Sequence, residues 1–165
     1  MKRILLVLVL LALVSPLKAE GAVVAENSAS LRERGENKTF DERFILLNSY
    51  LNSKNSPLAA VSGDFIEVAD RYDLDWRLLP AIAGLESSFG KRLWPGSFNP
   101  FGWGGGYIVF KDWEDGFDKV AKGLKENYIR KGLTTPETIG KVYAPPNPKW
   151  GGLVASLMKQ ISKEE

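Results

Sequence analysis

The 165-residue chain has no histidine and no cysteine. Without histidine, Ser-His-Asp and Cys-His nucleophilic machinery and zincin-type metal sites are excluded. Without cysteine there is no disulfide, no thiolate nucleophile, no Cys-ligated zinc or iron–sulfur cluster and no Cys-anchored lipid. An excess of one charge is also missing, since 22 basic residues face 20 acidic ones. With 25% charged and 44% hydrophobic side chains, the composition is that of one ordinary soluble domain with extensions. The chemistry open to this chain therefore rests on carboxylates, hydroxyls, amides, amines and aromatic rings, and no cofactor or metal is implied.

The longest apolar run lies at the start. Met1-Lys2-Arg3 is positive, Ile4 to Val14 is unbroken apolar, Ser15-Pro16 breaks the run, and Ala19 is a small residue for cleavage. This is the order of a secretory signal peptide over residues 1–19. The run is shorter than the about 20 apolar residues of a permanent membrane helix. An uncleaved anchor or a buried helix is the alternative, and Val23-Val24-Ala25 is a rival cleavage site. The reading implies an exported protein, in periplasm, cell wall or medium, that meets the membrane only in transit. Cleavage removes Lys2, Arg3 and Lys18, three of the 22 basic residues and none of the 20 acidic ones, which leaves a net charge of −1. No positive field then remains to attract nucleic acid. An exported chain without disulfides is held by core burial alone, which fits a bacterial protein of this size.

Residues 20–38 are polar with little apolar content after Val24 and read as a flexible tether. From 39 to 165 the pattern predicts one helical domain. Thr39 and Glu42 form a capping-box start for a helix to about Ser53. Ser56-Pro57 opens a second to about Tyr72, and Asp75 caps a third from Trp76 to about Phe89, with Pro80 able to shift its start. The helical pattern stops between Gly90 and Asp112, where Tyr107 to Phe110 suggests a short strand or hairpin arm. Helix resumes near Glu114 and ends at Gly132, Thr135-Pro136 starts a short helix to about Tyr143, and Asn147-Pro148 starts the last. The expected fold class is mostly α, about six helices interrupted by one irregular, aromatic, glycine-rich segment.

In the third helix Leu78, Ile82, Leu85 and Phe89 share an apolar face, and Glu86 falls at its edge. A carboxylate between core and water loses solvation of its charged form, which favours the neutral acid needed to protonate a leaving group. A solvated glutamate on the rim of an amphipathic helix is the alternative. The following segment carries Phe89, Trp94, Phe98, Phe101, Trp103, Tyr107, Phe110 and Trp113 among glycines. Flat rings with polar tips suit sugars. Packing under the helices, or stacking on single-stranded nucleic acid, is the competing use, and the latter needs a basic groove that the mixed local charges do not provide.

The stretch from Tyr72 to Gly90, with Leu85-Glu86-Ser87-Ser88-Phe89, resembles the catalytic helix of lysozyme-like peptidoglycan hydrolases. It is most similar to the bacterial glucosaminidase family, named after mannosyl-glycoprotein endo-β-N-acetylglucosaminidase, and next to the lytic transglycosylases. Asn99-Pro100-Phe101-Gly102-Trp103 resembles that family's Asn-x-Phe-Gly loop, Phe110 to Gly116 its return to helix, and Tyr143-Ala144 with Trp150 its downstream tyrosine segment. The similarity spans roughly Arg43 to Ile161. It implies a lysozyme-like domain acting on the β-1,4 glycan strands of peptidoglycan as a monomer, with Glu86 as general acid. Tyr143 would position the sugar or stabilise developing positive charge. Ser87, Asn99, Phe101, Gly102, Trp103 and Tyr107 would contact or shape the substrate site, Ser87 by orienting Glu86 or nearby backbone.

Glycosidic cleavage usually takes a second carboxylate as base or nucleophile. Gly102 to Phe110 contains none. Asp112, Glu114 and Asp115 come next, and each reads equally as a first-turn acid favoured by the helix dipole. The remaining routes are assistance by the substrate's own N-acetyl or 6-hydroxyl group, a carboxylate distant in sequence, or a domain that binds glycan or a wall-assembly partner without cutting it.

Overall fold

The computed structural model describes residues 41–163. The proposed signal segment 1–19, the tether 20–38 and the Thr39 cap lie outside the described residues. Among the described residues six α-helices follow one another and no strand is present. They are α1 Glu42–Ser53, α2 Ser62–Tyr72, α3 Leu78–Ser87, α4 Trp113–Asn127, α5 Pro136–Tyr143 and α6 Trp150–Ile161, with 3₁₀ turns at Pro57–Val61, Trp103–Gly106 and Ile129–Lys131. The domain is mostly α, as its periodicity predicts.

Helix starts follow the polar caps, with shifts that have local causes. Asp41 caps α1 by accepting from the Arg43 N–H at 3.0 Å, and the Arg43 guanidinium ties that carboxylate to Asp70 of α2. The helix expected from Ser56 to Tyr72 is divided. The Ala59 carbonyl accepts from Asn48 Nδ2 (2.9 Å) and from the Ser62 hydroxyl (3.0 Å), and the chain runs as a 3₁₀ turn before α2 begins. Asp75 accepts from the Arg77 N–H at 2.9 Å, so α3 begins at Leu78 rather than Trp76. Pro80 thereby sits in the first turn, where its missing N–H has no intrahelical partner to lose. Thr135 and Thr138 form a reciprocal capping box at the start of α5.

α3 is the central helix. Leu78, Leu79, Ala81, Ile82 and Ala83 are at most 4% exposed, the pattern of a helix surrounded by protein. It packs against α6, which also packs on α5, while α2 packs on α4. The centre of the core is an aromatic trio: Phe65 of α2 stacks on Phe117 of α4 with centroids 4.0 Å apart, and Phe101 from the irregular segment meets both rings edge-on. Only the last turn of α3 reaches the surface, and it carries Glu86.

The end of α3 comes at Ser87, before Phe89. Ser88 and Phe89 turn left-handed (φ 53° and 59°), and the Phe89 N–H closes back on the Ala83 carbonyl at 3.0 Å. This reversal folds the Phe89 ring onto Gly84 and against Tyr50. A methyl at Gly84 would lie 2.4 Å from a Phe89 ring carbon. Gly84→Ala should therefore destabilise the domain by about 1–3 kcal/mol despite alanine's higher helix propensity, read as a lowered urea midpoint; an unchanged or raised midpoint would contradict this packing.

Candidate active site

Glu86 is exposed at the C-terminal turn of α3, on the solvent side of the apolar stripe. Its two oxygens have different surroundings. Oε1 accepts a 2.7 Å hydrogen bond from the indole Nε1–H of Trp150. Oε2 faces the backbone of Gly102, where a Cβ would come within 3.1 Å of it. Gly102 has φ +63°, so this position requires glycine both for its backbone and for its clearance from the carboxylate.

Trp150 is 1% exposed, and its ring lies in the core. A buried indole needs an acceptor for its N–H, and the surface carboxylate supplies one. The ring is set by the close crossing of α5 and α6: a Cβ at Gly140 would sit 2.9 Å from the Trp150 ring, and one at Gly151 2.4 Å from the Glu137 Cα. Tyr143, at the end of α5, stacks on Trp150 with centroids 4.8 Å apart. Its hydroxyl donates at 2.6 Å to the Phe101 carbonyl. Burial first, then the negative charge of Glu86 and the neighbouring Tyr128, push the Tyr143 phenol well above its ordinary value of 10. The residue keeps some exposure, but its ring is packed among Trp103, Tyr128 and Trp150.

The motif residues after α3 divide into scaffold and surface. Ser87, expected to touch substrate or orient Glu86, is 3% exposed, with its hydroxyl between the Ala83 and Pro100 carbonyls (2.9 and 2.8 Å) and accepting from the Gly90 N–H. Its hydrogen-bonding capacity is spent clamping the helix end to the loop. Asn99 is equally internal: Nδ2 donates to the Trp103 and Ile108 carbonyls, and Oδ1 accepts from the Trp103 N–H. This amide, with left-handed glycines at 104 to 106, organises a tight turn at Trp103–Gly106, and Tyr107 to Phe110, expected as a short strand or hairpin arm, is irregular. The Phe101 ring is fully buried, so it builds core and offers only its carbonyl, to Tyr143. Trp103 packs over Gly123 beside Tyr128 and Tyr143. Of the expected substrate contacts, Gly102 and Tyr107 are the ones with open surface beside Glu86.

These elements enclose a cleft of about 310 Å³, lined by Glu86, Arg92, Leu93, Trp94, Gly102, Gly105, Gly106 and Tyr107 with Ser87 and Asn99 behind them. Trp94 is 73% and Tyr107 88% exposed. Glu86 is the one carboxylate in that lining. Asp112 accepts from the Asp115 N–H as the cap of α4, and Asp115 is held below the usual carboxylate range by the Lys119 ammonium and the Lys111 N–H. Neither these two nor Glu114 lines the cleft. A roomier groove of about 450 Å³, lined by Ile45, Tyr50, Lys54 and Gln160 among others, contains no carboxylate.

Trp150, Arg92 and Trp94 complete the site. The resemblance already carries Trp150 with the downstream tyrosine segment, and the requirement that a buried indole find a polar partner gives it a role. Trp94 belongs to the aromatic segment expected to suit sugars, whereas Arg92 carries no sequence signal.

No protein-family model matches this chain, and no curated protein matches it in sequence.

The Tyr143 phenol yields a pH prediction. A phenol with an unfolded value near 10 and a raised folded value contributes stability that is complete below about pH 10 and is lost as the pH rises through the folded value. Urea stability should fall above about pH 10, and less steeply in Tyr143→Phe. Tyr50, Tyr72 and Tyr128 are raised too, so part of the slope remains. Equal slopes for both proteins would contradict the burial of this phenol.

Proposed function

We propose that the protein is an exported, lysozyme-like enzyme that cleaves the β-1,4 backbone of peptidoglycan, with Glu86 as its acid. The observation that carries this reading is the asymmetry of Glu86 in an aromatic-flanked cleft: one oxygen is held by Trp150, and the other is free at Gly102. With Oε1 accepting from the indole, Oε2 is the oxygen that carries a proton to the glycosidic oxygen. As the bond to the leaving sugar breaks, positive charge develops on the ring. With one carboxylate in the cleft lining, the substrate's N-acetyl or 6-hydroxyl group assists. The ionised Glu86 then takes back a proton from water or from that hydroxyl. Trp94 and Tyr107 present exposed rings that suit sugar faces. Tyr143 acts as a positioning residue through Trp150 and the Phe101 carbonyl. The resemblance of the Glu86 and Asn99 to Trp103 segments to the glucosaminidase and lytic transglycosylase families, and the signal-like start, support the same reading.

The single carboxylate also favours a second reading, a lysozyme-like domain that binds glycan or a wall partner without cutting it. One assay separates them. On purified sacculi the wild-type chain should release soluble muropeptides, and Glu86→Gln should slow release by a factor on the order of 10² to 10⁴, the usual contribution of a general acid. Equal release by both proteins would remove Glu86 from the mechanism; binding to sacculi with no release from either would select the second reading.

A further inference from the structure

The cleft contains a second charge that acid catalysis does not use. Arg92 lines it together with Glu86, is exposed, and forms no ion pair among the described residues. Arg43, Arg71 and Arg77 each engage an aspartate at 2.6–2.7 Å. Arg130 has no such partner either, but it does not line this cleft. Glu86 does not neutralise Arg92: the hydrogen bond it accepts comes from Trp150. The backbone of Arg92 is anchored, its N–H donating to the Ser87 carbonyl at 2.9 Å, so the side chain starts from a fixed point beside the end of α3.

A free guanidinium in one cleft with two exposed rings and a lone carboxylate is a pattern for one kind of ligand: a sugar that carries a carboxylate. Guanidinium groups pair with carboxylates through two parallel N–H donors, while the rings of Trp94 and Tyr107 present flat faces to a pyranose. A neutral polysaccharide would leave Arg92 with water alone. We propose that Arg92 is a specificity-determining residue that binds a carboxylate substituent of the glycan, so that the cleft selects acidic saccharides over neutral ones of the same backbone. This inference rests on the glycan-binding reading of the cleft and adds to it the charge of the preferred sugar.

The test measures binding by the full chain carrying Glu86→Gln, which removes turnover, to two probes: soluble glycan strands with free carboxylates and the same strands with their carboxylates amidated. E86Q should bind the free-carboxylate strands about tenfold more tightly. Adding Arg92→Gln should abolish that difference by weakening the free-carboxylate strands far more than the amidated ones, and Arg92→Lys should restore part of it. If E86Q binds both probes alike, or if Arg92→Gln weakens both equally, the role of Arg92 is overturned and glycan binding stands. If E86Q binds neither probe, the glycan reading itself fails, and this inference with it.

Discussion

The hydrogen bond from the Trp150 indole to Glu86 Oε1 joins the C-terminal end of α3 to the start of α6. It ties the surface-exposed last turn of an otherwise buried helix to a tryptophan seated at the crossing of α5 and α6. Neither partner is well placed without the other. An unpaired indole N–H in the core costs the desolvation of a donor, and an exposed glutamate on its own samples several rotamers. The bond satisfies the first and restricts the second. Its geometry depends in turn on glycines at 140 and 151, which let the two helices approach, and on Tyr143, whose ring backs Trp150 and whose hydroxyl holds the Phe101 carbonyl.

The irregular segment extends the same constraint to the opposite side of the cleft. Ser87 clamps it to α3 at Gly90 and at Pro100, Asn99 closes the loop after it, and Phe101 anchors it in the core on Phe65 and Phe117. With those three residues committed internally, the chain can place Gly102 against Glu86 and leave Trp94 and Tyr107 in solvent. Exposing two large aromatic rings gives up burial free energy, and such exposed apolar surface beside a polar group is characteristic of a binding site. The rigid elements thus lie behind the cleft and the adaptable rings at its mouth.

The helices were legible because their ends carry polar caps and their faces keep a helical period: α5 spans Pro136–Tyr143 behind its Thr135 cap, and α4 follows the Phe117, Val120, Ala121, Leu124 stripe. Boundaries moved where a side chain competed for a backbone group, as Asn48 and Ser62 do at Ala59 and Asp75 does at Arg77. Glu86 was legible as the one charged residue in the apolar Leu78–Ser87 helix. The roles of Ser87, Asn99 and Phe101 were not, because a residue's type does not tell whether its polar atoms turn inward or toward a ligand. Trp150 was legible only through the resemblance of its segment, because its ring belongs to the core and only its N–H belongs to the site.

The account stands on the Trp150–Glu86 contact, and the indole resonances of the ¹⁵N-labelled full chain report on it directly. The chain has five tryptophans. The Trp150 indole proton should be shifted downfield and protected from exchange, and Glu86→Gln should move it more than any of the other four. An indole signal for Trp150 that exchanges rapidly with water and ignores Glu86→Gln would contradict the account.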